Sequence, residues 1–226
     1  MENFKTHAKF NHLEEGFKPI QSCIHNKNMG ENSLFLKNRN NWKSFEDVDY
    51  SAYGDYYKLN GMLNGGYETY VISSVSSKDK FTKGLYDCTG CIVVGEDKET
   101  NENISILSHQ DPKQFLKSHL IDSFKLHLSE NLIKILQKSK KGSIDAIIYG
   151  GQKYGSDFEK SVEVVSEIIK NELGFSPTVI TGPKEGNGST DVYFDNKNRR
   201  VYLFIPEQKN NSTLEDFQPE DMINKI

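Results

Sequence analysis

Two apolar runs near the middle of the chain are joined by a polar segment, and this arrangement predicts a pair of antiparallel strands. The first run covers residues 91–94 and the second covers residues 104–109. The segment between them, residues 95–103, is polar and rich in turn-forming residues. Such apolar strands must be buried against other elements, so this pair is expected to lie at the centre of the fold.

The outer ends of the predicted strand pair carry Cys91 and His109. Adjacent strands would place a thiol at the start of one close to an imidazole at the end of the other. A Cys–His pair suffices for nucleophilic attack on an amide, because the imidazole takes the thiol proton and the thiolate attacks. We therefore predict Cys91 as a nucleophile and His109 as its base. A buried, inert Cys91 is the alternative interpretation.

The residues just before Cys91 predict a tight turn. Gly90 permits a close backbone approach, and the backbone N–H groups around Thr89 and Gly90 are predicted to stabilise an oxyanion. Cys88 and Cys91 also form a Cys-x-x-Cys pair, which is the pattern of some redox and zinc sites. A second pair is missing from the sequence and a strand follows, so we predict no metal, no cofactor and a bystander role for Cys88 beneath the turn.

The remaining apolar patterns predict a mixed α+β domain. A stripe at three- and four-residue spacing predicts a long helix from Asp111–Pro112 to about residue 138, and a second stripe predicts a helix from Ser156 to residue 173. Strands are predicted at residues 69–75, 81–94, 144–149 and 177–181, with a hairpin over residues 190–205. This order predicts a layered β-sheet core with two main helices.

The chain is predicted to have three parts. Residues 1–65 are rich in Asn, Lys, Gly and Tyr, which predicts an irregular N-terminal layer or a substrate-facing loop region. Residues 66–206 are predicted to form the catalytic domain, and residues 207–226 a polar tail.

Composition excludes several classes of protein. A net charge of −4 gives no support for nucleic-acid binding. Three cysteines, an odd number, favour a reducing compartment over a disulfide-linked secreted domain. No stretch approaches the roughly 20 apolar residues of a membrane span, and the first residues lack the apolar core of a secretory signal. We expect a monomer that is cytoplasmic, or secreted into a host cell without a cleavable signal peptide.

Several short motifs carry a resemblance to a known family. They are Thr89-Gly90-Cys91-Ile92-Val93, His109, Gly150-Gly151 and the turn at residues 186–189 before a strand at 192–195. Together with the order of elements over residues 82–205, they resemble the CheD family of chemoreceptor glutamine deamidases. The Thr-Gly-Cys motif is also similar to that of the cytotoxic necrotizing factor toxins and Burkholderia lethal factor, which share this fold.

The resemblance implies a CheD-like fold and a hydrolase that converts a glutamine of a protein substrate to glutamate through a thioester. It implies a third group that orients His109, either a backbone carbonyl or a threonine, which is expected six positions before the nucleophile. Leu85 occupies that position relative to Cys91, and Thr82, three residues earlier, is the candidate third member. Tyr86 and Asp87 are further candidates.

The toxin-like motif and the unmatched N-terminal residues favour a bacterial effector or toxin that acts on a host protein. A chemoreceptor deamidase and a non-catalytic binding module of the same fold are the alternatives. An amine in place of water would make the same site a transglutaminase.

Overall fold

The computed structural model describes residues 5–6, 12–26, 46–48, 70–83, 85, 88–150, 156–181, 191–205 and 215–217. These residues form twelve strands: β1 (Lys5–Thr6), β2 (Gln21–Asn26), β3 (Glu46–Asp47), β4 (Tyr70–Ile72), β5 (Lys80–Lys83), β6 (Thr89–Glu96), β7 (Asn103–Gln110), β8 (Asp145–Gly150), β9 (Thr178–Thr181), β10 (Asp191–Asp195), β11 (Arg200–Ile205) and β12 (Glu215–Phe217). They also form three helices: α1 (Pro112–Phe115), α2 (Ser118–Lys138) and α3 (Ser156–Leu173). The protein is therefore α+β, as predicted.

Two six-stranded sheets and a helical layer make up the architecture. Sheet A has the strand order β1-β2-β11-β10-β5-β3, and sheet B has the order β12-β9-β8-β6-β7-β4. Apolar side chains from both sheets meet in an inter-sheet core that includes Ile92, Leu107 and Phe194. The opposite face of sheet B packs against α2 and α3 in a helix-side core that includes Val93 and Phe124. Sheet B is thus the middle layer and is buried on both faces.

The central strands follow from the sequence pattern. The apolar runs predicted as an antiparallel pair form β6 and β7, in register at Ile92↔Leu107. The predicted C-terminal hairpin is confirmed as β10 and β11. Within the described residues, no helix is both long and apolar enough to cross a bilayer.

The long helix predicted from Asp111 is in fact two helices. Asp111 Oδ1 accepts a hydrogen bond from the Lys113 backbone N–H at 2.9 Å, and Pro112 is the first residue of α1. Lys117 then adopts an extended conformation, with φ −64° and ψ 138°, and α2 begins at Ser118. The apolar stripe continues across this break, which is why periodicity alone did not detect it.

The described parts of the N-terminal and C-terminal segments belong to the sheets. Strand β2 pairs in parallel with β11, β3 pairs in parallel with β5, and β12 forms an edge of sheet B by pairing with β9. These residues are strands rather than an irregular layer or a loose tail. The boundaries 1–65, 66–206 and 207–226 stay predictions.

One buried cation links several segments of the fold. Arg199 is only 3% exposed. Its Nη1 donates to the carbonyls of Lys18 at 2.9 Å and Ser143 at 2.8 Å, and its Nε donates to Asn103 Oδ1 at 2.9 Å. A single guanidinium therefore joins the segment before β2, the start of β7 and the loop before β8.

We expect Arg199→Ala to lower the free energy of unfolding by about 3 kcal/mol, because the two carbonyls lose buried donors. Urea denaturation measures this change. The matched control is Lys197→Ala, an exposed side chain in the same turn, which should change stability by less than about 0.5 kcal/mol. Equal losses in the two variants would contradict the linking role of Arg199.

Candidate active site

The two predicted catalytic residues lie on opposite faces of sheet B. Strand β6 pairs with β7 at Thr89↔Gln110 and at Ile92↔Leu107, so Gly90 stands opposite His109 and Cys91 stands opposite Ser108. Side chains alternate between the faces of a strand, and a difference of one residue reverses the face. Cys91 accordingly packs in the helix-side core, whereas the neighbour of His109 on β4, Val71, packs in the inter-sheet core. The structure does not bring Cys91 and His109 together.

Thr82 and His109, in contrast, are in direct contact across the two sheets. Thr82 is on β5 of sheet A and His109 is on β7 of sheet B, and a hydrogen bond of 2.8 Å joins Thr82 Oγ1 to His109 Nδ1. Both residues are buried. When Nδ1 carries the proton and donates to Thr82, Nε2 is the nitrogen that can accept a proton from a nucleophile. The contact thus fixes both the orientation and the useful tautomer of the imidazole.

Cys91 has the environment of a structural thiol. Its side chain is fully buried, and its Sγ accepts a hydrogen bond from Ser108 Oγ at 3.2 Å. Burial raises the pKa of Cys91 to about 12, although the hydrogen bond from Ser108 acts in the opposite direction. A thiol in this setting stays protonated at neutral pH and is a poor nucleophile.

Cys88 lies on the same side of sheet B as His109. It directly precedes β6, is half-buried, and packs against the inter-sheet core. Its backbone N–H donates to the carbonyl of Leu85. Leu85, the residue found where the resemblance implies a threonine, is itself buried in the inter-sheet core.

The ladder between β6 and β7 is interrupted beside His109. Within these two strands, which the structure describes throughout, Gly90 and Cys91 form no ladder pair with β7. Hydrogen bonds that involve side-chain hydroxyls take the place of backbone bonds between the two strands here. The Cys91 N–H donates to Ser108 Oγ at 2.9 Å, and the carbonyl of Ser108 accepts from Tyr149 Oη at 2.5 Å.

The predicted oxyanion turn at Thr89 and Gly90 is replaced by regular strand. Both residues belong to β6, and the Cys91 N–H is already bonded to Ser108. Thr89 Oγ1 shares a hydrogen bond of 2.5 Å with Ser161 Oγ of α3, on the face opposite His109.

Sequence reasoning gave Cys88 a bystander role and did not place it on the face of His109. The signal that could have shown this placement was the alternation of β6. Cys88 and Gly90 share one face of the strand, and Cys91 occupies the other. Counting the alternation from the Gly90–His109 position would have selected the earlier cysteine.

Two further features of the described residues are separate from this site. A cavity of about 350 Å³ is lined by residues that include His12, Lys141 and Phe175, and none of Cys88, Cys91 and His109 lines it. Within the described ranges, no cluster of three or more His, Cys, Asp or Glu side chains is placed to hold a metal ion.

Comparison with known proteins leaves the site to be judged on its geometry. No protein-family model matches the chain, and no curated protein is significantly similar to it.

We expect iodoacetamide to alkylate Cys88 in the folded protein at neutral pH and to leave Cys91 unmodified. With a pKa of about 12, the thiolate fraction of Cys91 at neutral pH is on the order of 10⁻⁵. Peptide mapping by mass spectrometry measures the modification at each cysteine. Cys23, which is also buried, is the internal control, and unfolding in urea should make all three cysteines reactive. Faster modification of Cys91 than of Cys88 in the folded state would contradict this assignment.

Proposed function

We propose that this protein is a cysteine-dependent protein glutamine deamidase in which Cys88, and not Cys91, is the nucleophile. The observation that carries the proposal is the buried hydrogen bond between Thr82 Oγ1 and His109 Nδ1, on the face of sheet B that Cys88 shares. An imidazole fixed through one nitrogen can activate a cysteine for attack on an amide, and Cys88 is the cysteine on its face of sheet B. The identity of that amide is inferred from the resemblance to the CheD family.

The proposed reaction has two stages. His109 Nε2 takes the proton of Cys88, and the thiolate attacks the carboxamide carbon of a substrate glutamine. The tetrahedral intermediate collapses when His109 returns the proton to the nitrogen, so that the C–N bond breaks and ammonia leaves. Water, deprotonated by His109, then attacks the thioester and the C–S bond breaks. His109 returns the proton to the departing sulfur, which gives glutamate and the free thiol of Cys88.

The proposed substrate is a folded protein with an accessible glutamine. Deamidation gives the target a new negative charge, so one modification can change an interface or a switch region of that target. We propose an effector or toxin acting on a host protein as the biological setting, because residues 1–65 have no counterpart in the chemoreceptor deamidases that the chain resembles. The Thr-Gly-Cys motif does not bear on this choice, since its cysteine is Cys91. The exchange of glutamine for glutamate requires no cofactor.

Cys88→Ala is expected to abolish deamidation, whereas Cys91→Ala should retain it within a few-fold. Only Cys88 shares the face of His109. Intact-mass analysis of candidate host proteins and chemoreceptor fragments measures the activity, because exchange of a carboxamide for a carboxylate adds about one dalton per site.

The two cysteine variants control for one another, since each removes one thiol three residues from the other. If Cys91→Ala loses activity and Cys88→Ala retains it, Cys91 is the nucleophile and the proposal is wrong. A non-catalytic binding module would be favoured by two results together: the wild-type protein modifies no target, and its Cys88 is alkylated no faster than in the unfolded chain.

Thr82→Val is expected to lower kcat by roughly 10-fold or more, because a freely rotating imidazole loses its orientation and its preferred tautomer. Thr82→Ser keeps the hydroxyl and should retain most of the activity. The ratio of the two kcat values, measured by ammonia release, isolates the hydrogen bond from the packing of the side chain. Equal activity in the two variants would show that Thr82 does not orient His109.

A further inference from the structure

The interruption of the ladder between β6 and β7 lies next to the base of the proposed reaction. Ser108, whose carbonyl is no longer held by the ladder, immediately precedes His109. A free strand carbonyl at this position would let the backbone of His109 move. The structure closes the interruption with the phenol of Tyr149, which donates to the Ser108 carbonyl at 2.5 Å.

Tyr149 reaches this carbonyl by crossing Gly90. Tyr149 is on β8, directly paired with Gly90 of β6, and Ser108 is on the next strand, β7. An added Cβ at Gly90 would lie 2.4 Å from both Cζ and Oη of Tyr149 and 2.3 Å from the Ser108 oxygen. The absence of a side chain at Gly90 is therefore what lets the phenol bridge three strands. This contact, rather than a turn, explains the glycine.

Tyr149 also lies close enough to Cys91 and Cys88 for charge on either thiol to affect its pKa. Its side chain is fully buried in the inter-sheet core, the compartment against which Cys88 packs. Burial raises its pKa well above the ordinary value, and negative charge on Cys91 or Cys88 raises it further. The phenol therefore stays protonated at neutral pH and remains a donor to the Ser108 carbonyl.

We propose that Tyr149 is a positioning residue for His109. Its hydroxyl passes over Gly90 and bonds to the carbonyl of Ser108, which fixes the main chain directly before His109. The side chain of Thr82 fixes the imidazole ring. The base is thus held from two sides, from sheet A through its ring and from β8 through its main chain. This inference rests on the proposed function only for its catalytic consequence, because the effect on His109 is measurable without a substrate.

Tyr149→Phe tests the proposal, since it removes one oxygen and keeps the ring. We expect the titration midpoint of His109, followed by NMR of its imidazole, to shift relative to the wild type. We also expect the His109-dependent alkylation of Cys88 at neutral pH to slow by about three- to tenfold, the effect of losing one hydrogen bond. His109→Ala defines the part of the alkylation rate that depends on His109.

Tyr193→Phe is the matched control. Its hydroxyl donates to Asp79 Oδ2 at 2.6 Å, so this variant also removes a tyrosine hydrogen bond, but on sheet A. It should leave both readouts at the wild-type value. Gly90→Ala is a second test from the other side of the contact, and it should shift the His109 titration in the same sense as Tyr149→Phe.

The outcomes separate this inference from the proposed function. An unchanged His109 titration in Tyr149→Phe, or equal changes in Tyr149→Phe and Tyr193→Phe, would overturn the positioning role. A change of the His109 titration in Tyr149→Phe supports the positioning role. If the alkylation rate of Cys88 is nevertheless the same in the wild type and in His109→Ala, the positioning role stands and the Cys88–His109 chemistry is refuted.

Discussion

Sheet B is covered on both faces, by α2 and α3 on one side and by sheet A on the other. Every side chain of β6 must therefore enter one of two separate cores, and the period of two along the strand decides which. This constraint sends Cys91 towards the helices, where it serves packing and a hydrogen bond with Ser108. The same constraint keeps the face of Gly90 for His109, Tyr149 and Cys88.

The contact between Thr82 and His109 is also a polar link between the sheets. A buried hydrogen bond in an otherwise apolar layer is stabilising only while both partners are satisfied, and a lost partner costs about 1–3 kcal/mol. The relative position of β5 and β7 is therefore specified in part by this pair. Orientation of the imidazole and packing of the two sheets depend on the same two atoms.

Sequence patterns predicted most of the local structure and only part of the site. Strands β6 and β7, the two main helices and the β10–β11 hairpin follow from apolar periodicity, and Thr82 was selected by resemblance. The sequence placed Cys91 beside His109, whereas the structure has them on opposite faces of sheet B, because adjacency of strand ends does not specify the face, which depends on register. Counted from Cys88, Thr82 stands six positions earlier, the spacing that the resemblance implies. The pairing of β2 with β11 could not be predicted, since it joins residues far apart in sequence.

The parallel pairing of β2 with β11 affects the order in which the two sheets can form during synthesis. Strand β5, which carries Thr82, lies between β3 and β10. Strand β10 pairs with β11, and β11 pairs with β2. During synthesis the ribosome releases β2 and β5 long before β10 and β11 exist, so sheet A has no central strands until late. The helices and most of sheet B can assemble first, and the last hairpin then completes the surroundings of Thr82. Formation of the Thr82–His109 contact therefore waits for residues 191–205, and a nascent chain that lacks them carries an unoriented His109.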